Sequence, residues 1–208
     1  MSKSLAPYFR KSLQDGWTMR FKTRHPDGDN FDGVVVHIGR TFIVLREEID
    51  FEFDGIVLLP KKAIRSVRDG KFESCWNEIL QENGALSRMK VPSWVARCET
   101  VQDFLRTLQK WSIWPAIEML FDDGSTALYL GPIESVSDDG FSTKCYDAAG
   151  QWENGYSFRW SEIFKVEFDS RYCNHFNRYM RAKTSREQRT AHKARRGKLD
   201  KPRKLAQG

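Results

Sequence analysis

The chain has 208 residues and a net charge of +6, with 34 Lys and Arg against 28 Asp and Glu. That length suits one or two domains, and a half of roughly 80 residues can bury a modest core. No run of 18 apolar residues occurs, and the opening MSKSLAPYFRKSL lacks the apolar run of a signal peptide, so a soluble cytoplasmic protein without membrane contact is expected.

In chain order, Leu5, Tyr8 and Phe9 mark one face of a short amphipathic helix over residues 4–13. Residues 17–25 alternate as a strand, with Met19, Phe21 and Thr23 on one face and Arg20, Lys22 and Arg24 on the other. The run from His25 to Asn30 is a dense turn signal. A strand over 31–38 breaks at Gly39-Arg40 and resumes over 41–46. Phe51 and Phe53 then alternate with acids, and Asp54-Gly55 reads as a turn into Ile56 to Leu59. Pro60-Lys61-Lys62 interrupts before a last strand over 63–67, and Phe72, Trp76, Ile79 and Leu80 mark a closing helix.

Residues 81–98, with Gly84 and Pro92, read as a linker packed down by Val91, Trp94 and Val95. Thr100 with Asp103 three residues on is an N-cap arrangement for a helix through Lys110. Strands follow over 117–121, 126–136, 141–146, 152–158 and 163–168. Asp122-Asp123-Gly124 and Asp138-Asp139-Gly140 supply hairpin turns, which is the reading favoured for both carboxylate pairs over a catalytic one.

These features repeat. Leu5/Tyr8/Phe9 matches Val101/Phe104/Leu105, Trp17 matches Trp114, and Gly33-x-Val35-x-x-Ile38 matches Gly131-x-Ile133-x-x-Val136. Ile64/Val67 then matches Ile163/Val166, and Phe72/Trp76/Ile79/Leu80 matches Tyr172/Phe176/Tyr179/Met180. The offsets rise from 96 to 100 in chain order, as an internal duplication with small loop insertions leaves them. The expected fold is mainly β with flanking helices: two tandem five-stranded antiparallel barrels, residues 1–80 and 99–181, joined by 81–98 and followed by a basic tail, 182–208.

The glycine motif, with apolar residues at +2 and +5, resembles the first motif of the Sm and Sm-like barrels. Leu59-x-x-x-x-Ile64-x-x-Val67 and Phe158-x-x-x-x-Ile163-x-x-Val166 have the spacing of the second. The resemblance implies an N-terminal helix and five bent strands, a geometry that other SH3-like barrels share. It does not carry the family's RNA-gripping residues. The Asp after the +5 position is Gly39 in one half and Ser137 in the other, and the Arg-Gly pair is Pro60-Lys61 or Arg159-Trp160.

Function is expected in what does not repeat. Residues 181–208 hold eleven Lys and Arg against Glu187 and Asp200, a balance of +9 that leaves the preceding chain at −3. With Leu199 and Leu205 its only bulky apolar residues, this tail is expected to be disordered or a fraying helix. The first reading is an RNA-associated, non-enzymatic binding protein. Arg189, Lys193, Arg195, Arg196 and Lys198 of the tail, with Arg40, Lys61, Lys62, Arg65 and Arg159 on the barrels, would contact phosphate. The second is an adaptor taking a protein partner, or a second copy, on strand edges and on Trp152, Tyr156 and Trp160, with the tail as a non-specific anchor. His25, His37, His175 and His192 have no metal-ligand spacing with Cys or each other, and the four cysteines form no CxxC pair, so reduced structural thiols and no cofactor are expected. No nucleophile elbow, phosphate loop or dinucleotide fingerprint occurs.

Overall fold

Eleven strands join one antiparallel sheet, flanked by five α-helices, in a computed structural model that describes the backbone of residues 4–199 and the side chains of residues 4–190. The first half runs α1 (Ala6–Asp15), β1 (Thr18–Thr23), β2 (Asn30–Ile38), β3 (Phe42–Ile49), β4 (Glu52–Pro60), a 3₁₀ turn (Lys61–Ala63), β5 (Ile64–Arg68) and α2 (Lys71–Glu82). After the short α3 (Ala85–Arg88) and a 3₁₀ turn (Val95–Arg97), the second half runs α4 (Val101–Lys110), β6 (Ala116–Leu120), β7 (Thr126–Leu130), β8 (Ile133–Val136), β9 (Gly140–Tyr146), β10 (Trp152–Arg159), a 3₁₀ turn (Trp160–Glu162), β11 (Ile163–Phe168) and α5 (Arg171–Leu199). The element order of the first half recurs in the second.

Two local expectations need correction. The second strand of the second half splits into β7 and β8 at Gly131-Pro132, where Gly131 takes φ 150° and Pro132 has no N–H for the ladder; a Cβ on Gly131 would also overlap the Lys144 carbonyl. Gly33, its counterpart, also lies close over β3, where a Cβ would stand 2.5 Å from the Arg46 oxygen, but β2 continues through it. Asp54-Gly55 is not a turn. The reversal falls at Asp50-Phe51, both at positive φ, while Gly55 (φ 81°) forms a bulge inside β4 opposite Glu47. The tail, expected to be disordered or a fraying helix, is helical as far as Leu199, where α5 ends.

The order across the sheet is β10-β9-β7-β6-β11-β4-β3-β2-β1-β5, with β8 paired to β9 beside this path. Each half contributes its strands in the same sequence, so the halves lie head to tail. The meeting edge is β4 against β11, with Leu58 opposite Val166, Val57 opposite Glu167 and Ile56 opposite Phe168. This changes the expected architecture. Among the described residues no ladder joins β4 to β5 or β10 to β11, so neither half closes as a hydrogen-bonded barrel. The β4 edge that would close the first half is given to β11 instead.

The core follows the junction. Its largest cluster takes Phe42, Val44, Ile56 and Leu58 from the first half, Trp94, Val95 and Cys98 from the connecting segment, and Phe104, Leu105, Leu108, Met119, Val166 and Phe168 from the second. Trp94 meets Phe104 and Phe168 at ring-centroid distances of 5.2 and 5.4 Å. The segment expected as a packed-down linker is therefore core. A second cluster joins Phe9, Phe21, Phe31, Leu45 and Leu59 of the first half and takes Phe164 from β11. No helix among the described residues is long and apolar enough to cross a membrane.

Candidate nucleic-acid interface

The two 3₁₀ turns that precede the last strand of each half face each other across the β4–β11 junction. Lys61 and Lys62 come from one, Trp160 and Ser161 from the other, and they line a cleft of about 680 Å³ with Arg40, Thr41, Gln102 and Asp138. A volume of this order suits a small ligand or a nucleotide unit. Pro60 starts the first turn by fixing φ at −57° without offering an N–H, and the second is held by Glu162, whose carboxylate accepts from the Arg159 N–H at 2.8 Å and from its guanidinium.

The α4 wall begins at a capping box read correctly from the sequence. The Asp103 N–H donates to Thr100 Oγ1 at 3.0 Å, and the Asp103 carboxylate accepts from the Thr100 N–H at 2.9 Å. The Thr100 hydroxyl and two backbone amides hold that carboxylate below its ordinary pKa.

The cations do not share one role. Lys61 Nζ donates to the carbonyls of Gly39 and Arg40 at 2.7 and 3.1 Å, tying the β2–β3 loop to the 3₁₀ turn. Lys62 spans the cleft and donates to the Ser161 carbonyl at 2.8 Å, with its side chain exposed. Arg40 is exposed and has no side-chain partner among the described residues. Trp160 packs on Phe141 at 5.6 Å, and its indole N–H donates to the Asp138 carbonyl at 2.9 Å, so its plane is fixed. Asp138 is the one carboxylate in the lining.

No family model, curated protein or solved structure matches this chain.

The remaining candidates stand elsewhere. Arg65 is exposed on β5, and Arg159 points to Glu162 and Asp122 at 2.8 and 3.3 Å. Trp152 is engaged within the chain, its indole N–H donating to Thr184 of α5 at 3.1 Å and its ring meeting Trp114 and Tyr146. Tyr156 is exposed on the terminal strand β10, 5.0 Å from Tyr129. Arg189 is exposed on α5; the side chains of Lys193, Arg195, Arg196 and Lys198 lie outside the described residues.

Sequence spacing also missed a polar clasp across the halves. Buried His25, two residues past β1, reaches Glu118 of β6, with Nε2 3.0 Å from Oε1 in a close but poorly aligned approach. With Asp29 these side chains have metal-ligand spacing. The His25 Nδ1, however, accepts the Asp27 N–H at 3.2 Å, which assigns the proton to Nε2 and leaves no lone pair there for a cation. Lys165, 3.4 Å from both Glu118 and Glu167, already supplies positive charge. The signal was invisible because Glu118 lies far along the chain from His25. All four cysteines are free, and burial pushes the Cys145 and Cys173 thiols up to about 11, so neither is a ready nucleophile.

Proposed function

We propose that this chain is a non-enzymatic, RNA-associated binding protein in which the junction cleft holds part of a single strand and the basic helix α5 with its tail neutralises phosphate. The observation that carries this reading is the convergence of Lys62, Arg40 and the fixed plane of Trp160 in one cleft: cations for phosphate beside an aromatic face for a base. The repeated strand order and the repeated 3₁₀ turn support two open Sm-like units, fused edge to edge. In this reading the units have exchanged the family's gripping residues for a cation on one turn and an aromatic ring on the other.

The test is fluorescence anisotropy with a single-stranded RNA of about 12 nucleotides, within the range such grooves occupy. Arg40→Glu with Lys62→Glu is expected to weaken binding about tenfold or more while the thermal transition stays in place; unchanged affinity overturns the cleft. Lys61 is left intact, since its ammonium holds the β2–β3 loop. Deleting residues 182–208 is expected to reduce both affinity and salt dependence and to leave a salt-dependent remainder.

One observation favours an adaptor as the second reading. β10 ends the sheet with residues 153–157 exposed, and Tyr156 beside Tyr129 offers an aromatic edge to a partner strand. If the tail deletion removes all RNA binding, this reading takes precedence.

A further inference from the structure

Helix α4 connects the two basic features of the molecule. Its first residues, Val101 and Gln102, line the cleft, and Ser112, just past its last turn, accepts from Arg181 of α5 at 2.6 Å. Ten residues at a rise of about 1.5 Å make a span of about 15 Å. Phe104, Leu105 and Leu108 bury one side of the helix. On the outer side Gln102, Arg106 and Lys110 recur at i, i+4 and i+8, a single stripe from the cleft towards α5.

Gln102 is neutral and donates to the Ser137 carbonyl and to Asp138, and the other two residues of the stripe are cations. Arg106 faces Asp138 at 3.9 Å with both side chains exposed, a pairing too loose to withhold it from phosphate. Lys110 is exposed and has no hydrogen-bond or ion-pair partner among the described residues. Trp111 follows at 62% exposure, the highest of the exposed large apolar side chains described. One exposed apolar residue needs no explanation by itself. This one lies between Lys110 and the α5 contact at Ser112, and Arg181 covers the neighbouring Trp114 ring at 4.0 Å. Aromatic faces thus stand at both ends of a basic stripe, the pattern by which a protein takes unpaired bases on rings and the backbone on cations. Paired bases could not reach such faces.

We infer that single-stranded RNA leaves the junction cleft along the outer face of α4 towards α5, with a base stacked on Trp111 and phosphates on Arg106 and Lys110. The path rests on the RNA reading above. At a stacked spacing of about 3.4 Å per nucleotide, α4 carries roughly four nucleotides beyond those in the cleft.

Anisotropy on the full-length chain tests it with two probes, a uridine dinucleotide and an oligouridine of about 12 nucleotides. Trp111→Ala is expected to weaken the longer strand about tenfold and to leave the dinucleotide unchanged, with Trp111→Phe retaining most of the affinity. Lys110→Gln is expected to flatten the salt slope for the longer strand by about 0.7, one phosphate contact. Equal affinity of Trp111→Ala and the parent chain for the longer strand overturns the path; if Arg40→Glu with Lys62→Glu still weakens it, the cleft stands. If the parent chain binds neither probe, the RNA reading falls and the path with it.

Discussion

Glu47 lies on β3, one strand in from the β4–β11 junction, and burial beside Glu167 pushes its pKa from 4.5 up to about 7. Lys165 pulls the value down, while Asp54 and Asp32 add to the rise. The folded state therefore binds a proton more tightly than the unfolded chain between about pH 4.5 and pH 7. Stability from this group is full below that window and is lost as pH rises through it, at a limiting slope of about 1.4 kcal/mol per pH unit. Urea midpoints measured from pH 5 to pH 8 are expected to fall with pH across that window, and Glu47→Gln is expected to flatten the fall. An equally steep decline in the variant would assign the dependence to other groups. Lys61 and Lys62 make a related point: adjacent residues of one type divide into a loop fastener and a cleft cation, and only the backbone carbonyls near each ammonium tell them apart.

Helix α2 departs from the apolar stripe that the sequence suggests. Of Phe72, Trp76, Ile79 and Leu80 only Leu80 is fully buried, while Phe72 is 56% exposed and Trp76 lies beneath Arg20. The buried face is instead Glu73, Asn77 and Leu80. Asn77 accepts from the Thr18 N–H at 2.8 Å and donates to the Thr18 carbonyl at 3.1 Å, continuing the hydrogen bonding of β1 onto the helix. Asn77→Ala leaves two buried backbone groups unpaired and is expected to cost about 2–4 kcal/mol, more than Trp76→Ala, in chemical denaturation. The reverse order would return the anchoring role to the aromatic stripe. Periodicity finds helices by apolar spacing and cannot see one docked through an amide and a carboxylate. It located α4 well because the Thr100-Asp103 box and the Phe104/Leu105/Leu108 face agree. It misplaced the β3–β4 reversal because Asp50-Phe51 carries no glycine, while Gly55 serves a bulge. The cleft was legible only in parts. Arg40, Lys61, Lys62 and Trp160 were each candidates, but their convergence depends on a strand pairing between halves that no local pattern encodes, and Trp111 was missed because it interrupts no motif.

At the scale of the whole molecule, the repeat sets the order of the elements and the junction sets the cooperative unit. Head-to-tail stacking gives β4 of the first half an antiparallel partner in β11 of the second, and the largest apolar cluster forms across that seam. Separating the halves would bare Phe42, Val44, Ile56 and Leu58 on one side and Phe104, Leu108, Val166 and Phe168 on the other, together with two unpaired strand edges. Each large side chain returned to water forfeits roughly 1.5–3 kcal/mol, so a few of them match the entire stability of a small domain. The full chain is therefore expected to unfold in one transition. Fragments 1–98 and 99–208, expressed separately, are expected to lack a sigmoidal urea transition and to show poorly dispersed amide spectra. A fragment that melts cooperatively as a monomer would restore independent domains and make the seam a docking surface. The same seam brings the two 3₁₀ turns together, so mixing the fragments should recover the sigmoidal transition and RNA affinity at the same stoichiometry. Recovery of folding without RNA binding would detach the cleft from the function assigned to it.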